Sequence, residues 1–115
     1  MIIELFPEDA MSSTDLTRDS ELTPVGSLHE VLAAVADPVR LEMVRRLSRT
    51  DEPVACGALY DGISKSTASH HFKTLREAGV VQRIVIGGNT HQRLRRDDVE
   101  AAYPGVLESV IRAAD

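Results

Sequence analysis

The stretch ISKSTASHHFKTLREAGVV, residues 63–81, decides the fold. Its apolar positions Ala68, Phe72 and Leu75 recur at helical spacing, while Lys65, Ser66, Ser69 and His70 fall on or near the opposite face. Ser64 carries the hydroxyl that a helix N-cap uses, and Gly79 stands where a left-handed residue stops a helix. One helix is therefore expected, opening with small polar and basic side chains. Such a face suits base edges in a DNA major groove, which admits one α-helix and presents donors, acceptors and thymine methyls.

On the C-terminal side, Val80 to Ile86 and His91 to Arg95 are β-prone runs joined by Gly87-Gly88-Asn89-Thr90, a strong hairpin signal. On the N-terminal side, Ser27 is placed to cap a helix with Leu28, Val31, Leu32 and Val35 on one stripe. Asp37-Pro38 interrupts that helix and starts another, in which Leu41, Val44 and Leu47 are expected to face inward. Residues from about Val54 to Asp61 read as a short helix, and Gly62 as the turn into the recognition helix. The expected architecture is mainly α with a β-hairpin wing, a winged helix-turn-helix.

Beyond the hairpin, Asp97 and Asp98 are placed to cap a helix with Val99 and Ala102 apolar, and Pro104 to break it. Val106, Leu107, Val110 and Ile111 make a second stripe, expected to meet a partner subunit, with packing against its own domain as the alternative. The domain is read as residues 27–115, dimerising through terminal helices. Residues 1–26 are read as a partly ordered arm, because the apolar patch Met1–Phe6 is followed by no sustained periodicity.

The chain of 115 residues carries 13 basic and 18 acidic side chains, net −5, which on its own argues against a nucleic-acid partner. The average conceals a segregation. Residues 64–96 hold Lys65, Lys73, Arg76, Arg83, Arg93, Arg95 and Arg96 against Glu77 alone, whereas residues 1–27 and 97–115 are acidic. A local basic patch sets the electrostatic footprint on a polyanion, so salt-dependent binding is compatible with an acidic remainder. Arg83, Arg93, Arg95 and Arg96 are expected to flank the wing tip.

One cysteine, Cys56, excludes an intrachain disulfide. No signal-peptide pattern and no membrane-length apolar run occur, so a cytoplasmic location is expected. The sequence holds no nucleophile elbow, P-loop, dinucleotide fingerprint or metalloprotease helix, and catalysis is not expected.

The run LHEVLAAVADPVRLEMVRRL from Leu28 to Leu47, followed by ISKSTASHHFKTLREAGVV and the Gly87-Gly88 wing, resembles the ArsR/SmtB family of bacterial winged-helix transcription regulators. The resemblance spans about residues 27–115. It implies a homodimer that occupies double-stranded operator DNA, usually to repress, and often releases it on binding an effector. Carried over by position, it assigns DNA contact to Ser64, Lys65, Ser66, Thr67, Ser69 and His70, backbone support or packing to His71 and Lys73, and wing contacts to Arg83, Asn89 and Arg93. Activation instead of repression, and a winged helix serving as a protein-interaction module or working with a protein co-regulator, are the alternatives.

The family's effector sites do not carry over. Its arsenic sensors place a Cys-X-Cys pair ahead of the recognition helix, where this chain reads Val54-Ala55-Cys56-Gly57-Ala58. Its zinc-type sensors use histidines in the last helix, and here Asp97, Asp98 and Glu108 are followed by no histidine beyond His91. Carboxylates alone suit nickel or zinc poorly. A nickel- or zinc-responsive regulator with a non-standard intersubunit site is a further alternative, in which His29 joins carboxylates such as Glu4 or Glu8, or His91 of a wing. The adjacent His70 and His71 point about 100° apart on a helix and do not chelate one ion together.

Overall fold

The computed structural model describes residues 22–115. Leu28–Val35 forms α1, capped by Ser27, whose hydroxyl accepts from the Glu30 amide while the Glu30 carboxylate accepts from the Ser27 amide. This reciprocal box satisfies two amides that a helix start otherwise leaves unpaired. Pro38–Leu47 forms α2. The Asp37 carboxylate accepts from the amides of Val39 and Arg40, and Pro38 fills the first helical position, where no amide is needed. Those backbone donors, the Arg40 amide foremost, hold the Asp37 carboxyl below the usual range.

Lys65–Glu77 forms α3. Ser64 caps it as expected, accepting from the Thr67 amide at 3.0 Å. Its far end closes through two bonds, Gly79 N–H to Arg76 C=O and Val80 N–H to Leu75 C=O, both 3.0 Å, with Gly79 at φ +81°. This is a Schellman closure, and its C3 and C″ residues, Leu75 and Val80, are both fully buried.

Val81–Ile86 (β2) and Asn89–Leu94 (β3) pair antiparallel as the wing. The connection is shorter than the sequence suggested: Gly87 and Gly88, both at positive φ, make a two-residue turn, and Asn89 and Thr90 already belong to β3. Two consecutive positive φ values match the right-handed twist of a hairpin, so the strands continue to the turn.

The short helix expected over Val54–Asp61 does not form. Val54–Ala55 is instead a two-residue strand, β1, paired with β3 through Val54↔Gln92 and Ala55↔His91. Cys56–Ala58 then makes one 3₁₀ turn. Pro53, β-branched Val54 and Gly57 all disfavour a continuous α-helix, and the open edge of β3 supplies hydrogen-bond partners. The sheet order is β1-β3-β2.

Arg96–Ala102 (α4) and Val106–Ala114 (α5) complete the chain. Asp97 and Asp98 do not cap α4; they lie inside its first turn, and Arg95 occupies the cap position without a side-chain cap bond. Pro104 sits in the break between α4 and α5, as expected. Leu107 and Ile111 of α5 are buried in the chain's own core, and Val106 and Val110 are half-buried. The inward packing thus covers much of the stripe expected to seek a partner.

The core joins Val31, Ala34 and Val35 of α1 to Met43, Val44 and Leu47 of α2, Phe72 and Leu75 of α3, and Val80, Val81, Leu94 and Val99. Leu41 is only half-buried. Leu28 and Leu32 turn outward, 42% and 41% exposed. The lead-in strand of chain is fixed to the fold: the Gly26 amide donates to Ala78 C=O, Tyr103 Oη to Gly26 C=O at 2.6 Å, and Arg95 to Thr23 C=O.

Candidate nucleic-acid interface

The packing of α3 sorts its residues by face. Ala68, Phe72 and Leu75 are buried, and Lys65, Ser66, Thr67, Ser69, His70 and Lys73 are exposed. The helix is held at one side by the wing and at the other by the α1–α2 corner. Arg40 anchors that corner. Its Nε donates to Ala34 C=O at 2.6 Å, tying the end of α1, and its Nη1 lies 3.1 Å from His71 Nδ1. A guanidinium only donates, so in this contact the ring nitrogen is the acceptor.

His71 is therefore half-buried against Arg40, with Asp37 Oδ2 at 3.9 Å, and serves packing; the neighbouring His70 stays on the exposed face. Their ring centroids are 6.2 Å apart with planes tilted by 58°.

Between α3 and the wing lies an open groove of about 850 Å³. Lys65, Ser69, Lys73 and Arg76 line it from the helix, and Arg83, Asn89 and Thr90 from the wing. Tyr60 and Phe72, an edge-to-face pair with centroids 6.2 Å apart, underlie it. Arg76, Thr90 and Tyr60 are residues that the sequence reading did not assign to this surface. The helical spacing from Lys73 to Arg76 carried the signal for the arginine.

Two of the seven cations counted over residues 64–96 do not belong here. Arg95 and Arg96 follow β3, at the end of the ribbon away from the Gly87-Gly88 turn. Arg95 is paired to Asp98 at 3.0 Å, and Arg96 binds the Glu108 carboxylate and donates to Ser48 C=O at 2.6 Å. Both are structural. Arg93, exposed on β3, pairs in register with Gln82, and Arg83 with Gln92.

Cys56 is half-buried, and burial pushes its thiol up from the ordinary value. Gln92 Nε2 donates to its sulfur at 3.6 Å, while Gln92 Oε1, in a side chain 1% exposed, has no partner among the described residues. Among the described residues no three His, Cys, Asp or Glu side chains gather into a metal-sized cluster. His29 is exposed on α1, and His91 Nδ1 lies 3.0 Å from Asn89 C=O. Glu4 and Glu8 lie outside the described residues.

A cap-anchored helix with an exposed polar and basic face, packed against a two-stranded ribbon, defines a winged helix-turn-helix DNA-binding protein. Comparison with known proteins agrees. Residues 35–84 match the family model described as a helix-turn-helix domain. The chain is 35% identical over 83 residues to an uncharacterized HTH-type transcriptional regulator, YceK, of Bacillus subtilis (strain 168), covering 70% of this chain and 83% of that protein. Among solved structures, the transcriptional repressor BigR from Xylella fastidiosa aligns with TM-score 0.58 at 25% identity, over 75% of this chain and 84% of that one. An ArsR-like transcriptional regulator from Rhodococcus sp. RHA1 aligns with TM-score 0.57 at 22% identity, over 72% of this chain and 77% of that one. The chain belongs to the helix-turn-helix transcriptional regulators, it shares the fold of ArsR-type regulators, and its partner is DNA. No helix among the described residues is long and apolar enough to cross a membrane.

Proposed function

We propose that the protein is a homodimeric, cytoplasmic repressor acting by binding and not by catalysis, which occupies a two-fold operator with one α3 in the major groove of each half-site. The observation that carries this reading is the placement of Lys65, Ser66, Ser69, His70 and Lys73 on the exposed face of α3, beside a wing bearing Arg83, Asn89 and Arg93. The description of BigR as a transcriptional repressor supports the sign of regulation. Residues 27–115 form the DNA-binding and dimerising unit in this reading, with residues 1–26 as its arm.

Fluorescence anisotropy with duplexes selected from a randomised pool tests it. A DNA reader enriches one palindromic motif, and its affinity for that motif falls steeply between 50 and 200 mM salt, by about 10³ or more for six or more phosphate contacts. Recovery of no motif, with weak and salt-insensitive binding, overturns the reading.

A further inference from the structure

The exposed surface of α3 is two ribs, and they differ in chemistry. Lys65, Ser69, Lys73 and Arg76 line the groove shared with the wing. Ser66 and His70, four residues apart, are exposed but lie outside that groove. At about 100° per residue they sit on the side of the helix opposite its buried residues. The groove rib is the cationic one. Among the described residues no carboxylate lies within ion-pair reach of Lys65 or Arg76, and Lys73 meets only the exposed Glu77 at 3.9 Å. Four arginines outside the groove are matched: Arg45 and Arg46 share Glu42 and reach Asp115 and Asp61, Arg95 has Asp98, and Arg96 has Glu108. Cations aligned along one wall, with Arg83 and the amide and hydroxyl of Asn89 and Thr90 on the other, complement a row of phosphates.

Resting on the DNA-binding reading, we infer that the groove between α3 and the wing seats one phosphodiester strand, held by Lys65, Lys73, Arg76 and Arg83, and that base discrimination falls to Ser66 and His70. This moves Lys65 and Ser69 from reading bases to positioning the helix, and it adds Arg76 and Thr90 to the interface. A backbone strand in the groove directs the outermost rib of α3 toward the base edges.

The test uses the full chain, a randomised duplex pool and anisotropy at several salt concentrations on one enriched duplex. Arg76→Gln and Lys73→Gln are expected to weaken binding to all duplexes alike, to lower the slope of log K against log salt by about one for each protomer bound, and to enrich the wild-type motif. Ser66→Ala and His70→Ala are expected to keep the slope and to change the motif, relaxing discrimination at the affected position roughly tenfold or more. Circular dichroism and a urea midpoint like the wild type establish that each variant is folded. An Arg76→Gln protein with an unchanged slope or an altered motif, or a Ser66→Ala, His70→Ala protein selecting the wild-type motif, overturns the assignment. Wild-type protein that binds no duplex at low salt overturns the DNA reading itself, a result separate from either.

Discussion

Gly79 ends the recognition helix and also lets the lead-in chain cross it. A Cβ built on Gly79 would stand 2.6 Å from Val25 Cα and 2.8 Å from Pro24 O, at φ +81°. Both obstacles are backbone, and the backbone is tied down by the Gly26 and Tyr103 hydrogen bonds. Gly79→Ala therefore combines left-handed strain with a clash and should cost about 2–4 kcal/mol, read as a lower urea midpoint. Gly87 provides the contrast. Its φ is +58°, but a Cβ there meets nothing within 4 Å. Gly87→Asn, in a turn type that favours Asn-Gly, should leave the midpoint within about 0.5 kcal/mol of wild type. Gln92 sits between these cases. Its buried Oε1 has no partner among the described residues, so replacing the amide by an apolar side chain of similar size removes a desolvated polar atom. Gln92→Leu should raise stability by about 1 kcal/mol in the same assay, and a lower midpoint would show that the bond to Cys56 outweighs the orphaned oxygen.

The Glu42 cluster shows how helices secure one another through surface charge. Its carboxylate accepts from Arg45 and Arg46, which in turn reach Asp115 at the end of α5 and Asp61 ahead of α3. These guanidinium bonds, Arg45 first, hold Glu42 at a pKa of about 2 against an ordinary 4.5. A depressed carboxylate stabilises the fold above its unfolded pKa and loses that contribution as pH falls toward its folded one. The window is thus pH 4.5 to 2. Solvent screening keeps the contribution to about 1 kcal/mol or less. Urea unfolding at pH 5 and pH 3 should show a smaller acid loss for Glu42→Gln than for wild type. Elements set by neighbouring residues were legible in the sequence. The caps at Ser27, Asp37 and Ser64, the stop at Gly79 and the wing signal at Gly87-Gly88 act over a few positions. Elements set by distant pairing were not. Val54 becomes a strand because Gln92 is beside it, and Arg96 leaves the basic patch because Glu108 and Ser48 capture it. A charge count along the chain cannot distinguish a phosphate-facing arginine from one that staples two helices.

Across the molecule, burial leaves an asymmetry that bears on assembly. The C-terminal helix spends Leu107 and Ile111 on its own core, so much of the stripe that the sequence offered to a partner is already covered. The first helix does the reverse: Val31, Ala34 and Val35 face inward, while Leu28 and Leu32, one turn apart, stay 42% and 41% exposed. Two leucines on one turn are a poor surface for an isolated domain and a suitable centre for a two-fold contact, in which the same patch meets itself. In the dimeric reading, α1 therefore supplies the centre of the interface and α5 its flank. Sedimentation velocity should find the wild type dimeric at micromolar concentration and Leu28→Glu/Leu32→Glu monomeric. Neither side chain contributes to the buried core, so the variant's far-ultraviolet circular dichroism should match the wild type. Halving the number of docked protomers should halve the salt slope of operator binding, because each protomer releases its own set of counterions. It should also remove the preference for two half-sites at a fixed spacing of about 34–36 Å, which only a rigid pair of recognition helices enforces. A variant that stays dimeric and keeps the wild-type slope would place the subunit contact elsewhere and return the terminal α5 to that role.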